Sequence, residues 1–99
     1  MVSRSVEIQH LAKRQLWEAY KYIRKDSLQN AQKVRSRILE TIKALATHPE
    51  RHPLDKYCFI NDGNFRAYEI YKYRISYYVT DEKIIVLRIR HTKMNPLNY

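Results

Sequence analysis

Two amphipathic helical patterns follow each other with almost no linker, and this constrains the fold more than any other feature of the chain. The first begins near Leu11 and carries apolar residues at helical spacing, namely Ala12, Leu16, Ala19 and Ile23, with Tyr20 alongside. The second runs from about Leu28 to Thr47 and carries Ala31, Val34, Ile38, Ile42 and Leu45, with Leu39 alongside. Ser27 is a favourable N-cap between them, and Pro49 and Pro53 end the second pattern. Helices joined so closely fold back as an antiparallel hairpin, which needs a sheet to cover its apolar stripes.

The C-terminal third of the chain supplies that sheet. Segments 65–70, 73–79 and 83–91 are rich in Tyr, Ile and Val and are separated by short turns, which predicts an antiparallel meander. Residues 2–9 alternate well enough to predict a further edge strand. We therefore expect one domain over residues 1–99, of class α+β, with the order β-α-α-β-β-β and an antiparallel sheet packed on one face by the helical hairpin. Spacing alone leaves open whether the first strand lies beside the last strand or the one before it.

Side-chain alternation divides each meander strand into two faces. The face expected under the helices holds Ile75, Tyr77 and Val79 in the middle strand and Ile85, Leu87 and Ile89 in the last strand. The opposite face holds Arg74, Arg88 and Arg90, joined by Arg66 if the first meander strand has the matching parity. Guanidinium groups bind phosphate and tyrosines stack on bases, so this face is a candidate nucleic-acid surface. An ordinary polar solvent face accounts for the same arginines equally well.

The net charge narrows the choice of partner. The 99 residues include 19 Lys and Arg against 10 Asp and Glu, which gives a formal net charge of +9. Such a surface attracts a nucleic acid, an anionic membrane or an acidic protein, although a basic pI also simply keeps a small protein soluble. We expect a cytoplasmic protein that does not enter a membrane, because no apolar run reaches the roughly 18 residues of a span. Cys58, the single cysteine, cannot form an internal disulfide.

In their order and spacing, these segments resemble the RelE/ParE superfamily of toxins from bacterial type II toxin–antitoxin systems. The matching stretches are residues 11–23, Asp26-Ser27 with Ala31, Leu45 to Pro49, Phe65-Arg66, Tyr73-Arg74-Ile75 with Tyr77, and the closing strand 84–91. The resemblance covers nearly the whole chain. It implies the β-α-α-β-β-β fold, a toxin that arrests growth, and an acidic antitoxin as partner.

The resemblance leaves the target open. ParE-like members inhibit DNA gyrase without a recognised hydrolytic site, whereas RelE-like members enter the ribosome and cut mRNA. The long helical hairpin is more similar to ParE, so we expect gyrase inhibition. The alternatives are a ribosome-dependent endoribonuclease and a non-toxic nucleic-acid-binding module.

The resemblance also implies candidate site residues. For the ribonuclease alone, His91 matches a histidine at the end of the last strand, Arg66 matches a phosphate-binding arginine, and Tyr99 is a weaker candidate for a terminal tyrosine. A strand-end histidine without a catalytic role explains His91 as well. The residues expected to contact phosphate or the target are Arg66, Arg74, Arg88, Arg90 and Lys93.

The remaining candidate residues do not indicate a cofactor or a metal. His48 and His52 are four positions apart, but the adjacent prolines prevent a regular helix, so we expect loop residues. Glu50, Asp55 and Asp62 read as acidic residues of a surface loop. Trp17 and Tyr20, beside the first helical stripe, are expected in the core or at the antitoxin contact.

Overall fold

The computed structural model describes residues 4–58 and 60–93 and confirms the expected order of elements. The strands and helices are β1 (Ser5–Ile8), α1 (His10–Arg24), α2 (Leu28–Ala44), β2 (Phe65–Ile70), β3 (Tyr73–Val79) and β4 (Lys83–His91), with a short 3-10 helix at Pro49–Arg51. Among the described residues, no helix is long and apolar enough to cross a membrane.

The helical hairpin forms as its sequence predicts. Ser27 has an extended backbone, and its side-chain oxygen accepts a hydrogen bond from the Asn30 amide at 3.0 Å, which caps α2. The apolar stripes of both helices pack with β3 and β4 in one hydrophobic core. The hairpin therefore covers one face of the sheet, which we call the helix face.

The sheet is mixed, and the expectation of a wholly antiparallel sheet is wrong at β1. The strand order is β1-β4-β3-β2, with antiparallel pairing among β2, β3 and β4. β1 pairs with β4 in parallel, from Ser5 opposite Lys83 to Ile8 opposite Val86. Parallel neighbours need a long crossover connection, and the hairpin together with the meander provides it.

A β-bulge in β4 makes the expected apolar face wrong in part. Ser76 lies opposite Arg88 but Tyr77 lies opposite Val86, so Leu87 is an extra residue in the ladder. Ile84 and Val86 are buried before the bulge and Ile89 is buried after it, whereas Ile85 and Leu87 are half-buried. One extra residue reverses the alternation of side chains, which uniform parity cannot anticipate. The face expected for β3, with Ile75, Tyr77 and Val79 in the core, is confirmed.

Candidate functional site

A groove lies between α1 and the C-terminal half of β4. Its volume is about 890 Å³. Four residues predicted as site residues line it together: Arg88, Arg90, His91 and Lys93. The other lining residues are Leu11, Arg14, Gln15, Glu18, Ala19, Tyr22, Tyr73 and Ile89. The structure thus combines an apolar floor with four Lys and Arg residues and a single carboxylate, Glu18.

The groove exists because β1 stops short of the end of β4. The Gln9 amide donates to the Val86 carbonyl at 3.0 Å, and the chain then turns into α1. Beyond that point α1 faces the outer edge of β4, and the Gln15 side-chain oxygen accepts a hydrogen bond from the Ile89 amide at 2.8 Å. Gln15 thus takes the place of a strand partner. Sequence reasoning missed Gln15, Tyr22 and Tyr73, although the first two lie on α1 beside the predicted stripe.

His91 is held at the end of this groove. Its ring meets Tyr73 edge-on with centroids 5.2 Å apart, and its Nδ1 accepts a hydrogen bond from the Lys93 amide at 3.1 Å. Strand alternation puts His91 on the same face as buried Ile89, and the bulge at Leu87 makes this the helix face, opposite Tyr73 and Ile75.

Arg66 lies elsewhere, near the opposite end of the sheet. It pairs with Tyr77 across the β2–β3 ladder, whereas His91 pairs with Tyr73. Those positions are four residues apart in β3, which is about 13 Å along an antiparallel strand. Arg66 donates to the His52 carbonyl at 2.6 Å, so it fastens the loop before β2. Tyr77 is buried on the helix face, so its cross-strand partner Arg66 lies on that face as well. Arg74, Arg88 and Arg90 lie on the opposite face of the sheet.

Arg74 is engaged in a buried ion pair. Its guanidinium lies 2.9 Å from the Asp55 carboxylate, and the two side chains are 17% and 1% exposed. Glu69 is 3.4 Å away, and Tyr57 lies against the guanidinium with its centroid at 4.6 Å. Reading Asp55 as a surface residue is therefore wrong: its carboxylate folds inward to meet Arg74. Asp62 and Glu50 are exposed, as expected.

The same loop packs three aromatic rings together. His52 stacks on Tyr68 with centroids 4.1 Å apart, and the Tyr77 hydroxyl donates to the Pro49 carbonyl at 2.5 Å. Burial raises the pKa of Tyr68 and of Tyr77 to about 12. Burial, with the charge of Arg51, lowers the pKa of His52. All three pKa shifts favour the uncharged forms of these side chains, and it is in those forms that they stabilise the loop. The three side chains do not resemble a general acid and a general base.

The surroundings of Cys58 and of Trp17 each argue against one of the roles considered for that residue. Burial, with nearby Asp55 and Asp62, raises the pKa of the Cys58 thiol, so the thiolate nucleophile is disfavoured. Trp17 is 51% exposed and stacks on Tyr20 with centroids 5.7 Å apart, so it is not a core residue. Tyr99 lies outside the described residues.

A helical hairpin covering one face of a small four-stranded sheet is the arrangement that the resemblance to RelE/ParE superfamily toxins implied. The chain belongs to the ParE toxin family of type II toxin–antitoxin systems, because the family model described as ParE toxin of type II toxin-antitoxin system, parDE, matches residues 6–96. A comparison with curated proteins finds no match.

Solved structures share the fold at low sequence identity. A chain of the chromosomal ParDE system from P. aeruginosa is 20% identical with a TM-score of 0.72, covering 90% of this chain and 96% of that one. A chain of the RelBE2 toxin–antitoxin complex from Mycobacterium tuberculosis is 18% identical with a TM-score of 0.63, over 91% and 99%. A chain of the YoeB dimer from Staphylococcus aureus is 17% identical with a TM-score of 0.57, covering 91% of this chain and 98% of that one.

Proposed function

We propose that this toxin arrests bacterial growth by inhibiting DNA gyrase and that an acidic antitoxin holds it inactive. The family match to ParE toxins over residues 6–96 supports the toxin role and the antitoxin partner. The ParE-like members that the sequence resembles act on gyrase. A net charge of +9 suits both an acidic antitoxin and a target that binds DNA.

One observation carries the choice of gyrase over the ribosome, namely the separation of His91 from Arg66. Cleavage of RNA needs a proton carrier and a cation within reach of the same phosphate. Their positions differ by four residues along β3, roughly 13 Å, and also by two strand spacings across the sheet. Arg66 is in addition bonded to the His52 carbonyl. The arrangement therefore favours a toxin that acts by binding.

The target contact is expected at the basic end of β4. Arg88, Arg90 and Lys93 line the groove, whereas Arg74 is neutralised by Asp55. Of the five predicted binding residues, the three at the end of β4 are the ones we assign to the target, while Arg66 and Arg74 fasten the loop.

Purified toxin added to gyrase and relaxed plasmid tests the proposal. We expect loss of supercoiling or accumulation of cleaved DNA. Arg90→Glu should raise the toxin concentration needed by about tenfold or more, because reversing an interface charge introduces repulsion. Arg35→Glu, on the exposed surface of α2, is the matched control and should change it less than about twofold. His91→Ala should retain most of the inhibition.

Induced expression in bacteria gives the second measurement. Growth should stop, and co-expression of the acidic protein from the neighbouring reading frame should restore it. Codon-linked mRNA cuts within minutes of induction, abolished by His91→Ala and Arg66→Ala, would instead identify a ribonuclease. Normal growth with confirmed soluble protein would instead favour a non-toxic nucleic-acid-binding module or a toxin that has lost its activity.

A further inference from the structure

We infer that an outer face of α1 binds single-stranded nucleic acid, with bases stacked on its aromatic rings and phosphates paired with its cations. The residues of this face are Lys13, Trp17, Tyr20, Lys21 and Arg24, and we call them the stacking patch. The inference goes beyond the proposed inhibition of gyrase and does not depend on it.

The stacking patch lies on a side of α1 that neither the core nor the groove uses. Ala12, Leu16 and Ala19 belong to the core, whereas Arg14 and Tyr22 line the groove. The patch residues belong to neither set, and helical spacings of three and four positions bring them together on the remaining side. A partner bound there therefore leaves the groove free.

Two aromatic rings of the patch lie nearly parallel at the surface. Trp17 is 51% exposed, and its ring stacks on that of Tyr20 with centroids 5.7 Å apart and 16° between the planes. An exposed tryptophan leaves a large apolar surface in contact with water, which a stacked ring removes. Every nucleic-acid base has a flat π-face, so aromatic side chains of this kind hold a single strand without requiring a particular sequence.

Three cations surround these rings. The Lys21 Nζ lies 5.6 Å from the centroid of the Trp17 ring, and the Arg24 guanidinium lies 6.0 Å from Trp17 and 5.5 Å from Tyr20. Lys13 is exposed one helical turn before Trp17. None of the ion pairs among the described residues involves these three basic side chains. Their charges are therefore available to phosphate groups.

A nucleic-acid strand fits this combination better than an acidic peptide does. The face of an aromatic ring is electronegative, so a carboxylate pairs with the cations but is repelled from the rings beside them. A nucleotide carries its charge on the phosphate and presents an uncharged, flat base to the rings. The long side chains of Lys21 and Arg24 can turn from the ring faces to phosphates without a change in the helix backbone. A second copy of this basic chain would meet like charges.

Tryptophan fluorescence tests the stacking directly, because Trp17 is the single tryptophan of the chain. The full-length protein is titrated with an oligothymidylate of about 15 nucleotides, which is long enough for a typical single-strand site. The emission of Trp17 should be quenched to saturation as bases stack on its ring. A duplex of the same length and a polyglutamate peptide of the same charge should leave the emission unchanged, because neither offers a free base.

Fluorescence anisotropy of an end-labelled oligothymidylate measures what each side chain contributes. Trp17→Leu should weaken binding by about tenfold, as the loss of one stacked base predicts, and Trp17→Phe, which keeps a ring, by less than about threefold. Lys21→Gln should weaken binding by about threefold or more and reduce its dependence on salt, because one phosphate contact is lost. Arg35→Gln, which removes an exposed charge on α2, is the matched control and should change binding less than about twofold.

Three results would overturn the inference. Equal quenching by the polyglutamate peptide would identify a site for acidic peptides. Binding that leaves the emission of Trp17 unchanged, and that Lys21→Gln and Arg35→Gln weaken equally, would show attraction by the net charge alone. Absence of oligothymidylate binding by the folded protein would exclude the site. Gyrase inhibition by the same protein is a separate measurement, so a failure of one proposal is distinguished from a failure of the other.

Discussion

Removing the Asp55 carboxylate should destabilise the protein more than any exposed charge change. Asp55→Ala leaves the Arg74 guanidinium, 17% exposed, without its 2.9 Å partner and also removes the acceptor of the Tyr57 amide. Breaking one half of a buried ion pair costs about 3–5 kcal/mol. Glu69, 3.4 Å from Arg74, and partial solvent access reduce this, so we expect about 2–3 kcal/mol. A domain of this size has about 5–15 kcal/mol in total.

Urea unfolding followed by circular dichroism measures this change. The matched control is Glu40→Ala, which breaks the exposed pair with Arg37 and should cost less than about 1 kcal/mol. The double variant Asp55→Ala with Arg74→Met should recover part of the loss, because the uncompensated charge is gone. A cost for Asp55→Ala no larger than that of Glu40→Ala would refute the reasoning that this pair fastens the loop to the sheet.

Three further predictions follow from burial and protonation. Val86→Asp should abolish folding and Leu87→Asp should not, because Val86 is fully buried and Leu87 is half-buried at the bulge; thermal unfolding of both variants distinguishes them. The pKa of His52 is lowered from 6.5, so its contribution to stability is complete above about pH 6.5 and lost as the pH falls. In the His52→Phe variant the urea concentration at the unfolding midpoint should therefore change less between about pH 7.5 and pH 5. With the pKa of Tyr77 raised from 10 to about 12, its contribution is complete below pH 10 and lost above it, and Tyr77→Phe should remove one late-titrating phenol from the absorbance at 295 nm.

The local parts of the fold could be predicted from the sequence because they depend on neighbours in the chain. Helical spacing and the Ser27 cap act within a few residues, and both helices form as expected. The partner of β1 depends on residues nearly eighty positions away, which spacing does not encode. The predicted alternation of side chains along β4 is wrong beyond Leu87, because a bulge depends on the fit between two strands. The sequence around Leu87 contains no Gly or Pro that would indicate a bulge there.

The site was predictable in composition but not in arrangement. Arg88, Arg90, His91 and Lys93 are close in sequence and on one strand end, so the structure brings them together. Arg74 lies on the same face as Arg88 and Arg90, as expected, whereas Arg66 pairs with Tyr77 and lies on the helix face. Arg66 and Arg74 also have partners that the sequence did not reveal. Each is bound to the loop before β2, through the His52 carbonyl and the Asp55 carboxylate respectively. A loop without periodicity carries no signal of which side chains it will neutralise.

The parallel pairing of β1 with β4 has a consequence for synthesis of the protein. Ser5 lies opposite Lys83, so the first strand waits for a segment that is translated 78 residues later (83 minus 5). At a synthesis rate of about 5–20 residues per second, that delay is about 4–16 s. During this interval the helical hairpin exists without the strands that cover its apolar stripes. The toxin core, and the groove beside it, therefore form only once β4 (Lys83–His91) has been translated, and a nascent chain that stops before β4 has neither.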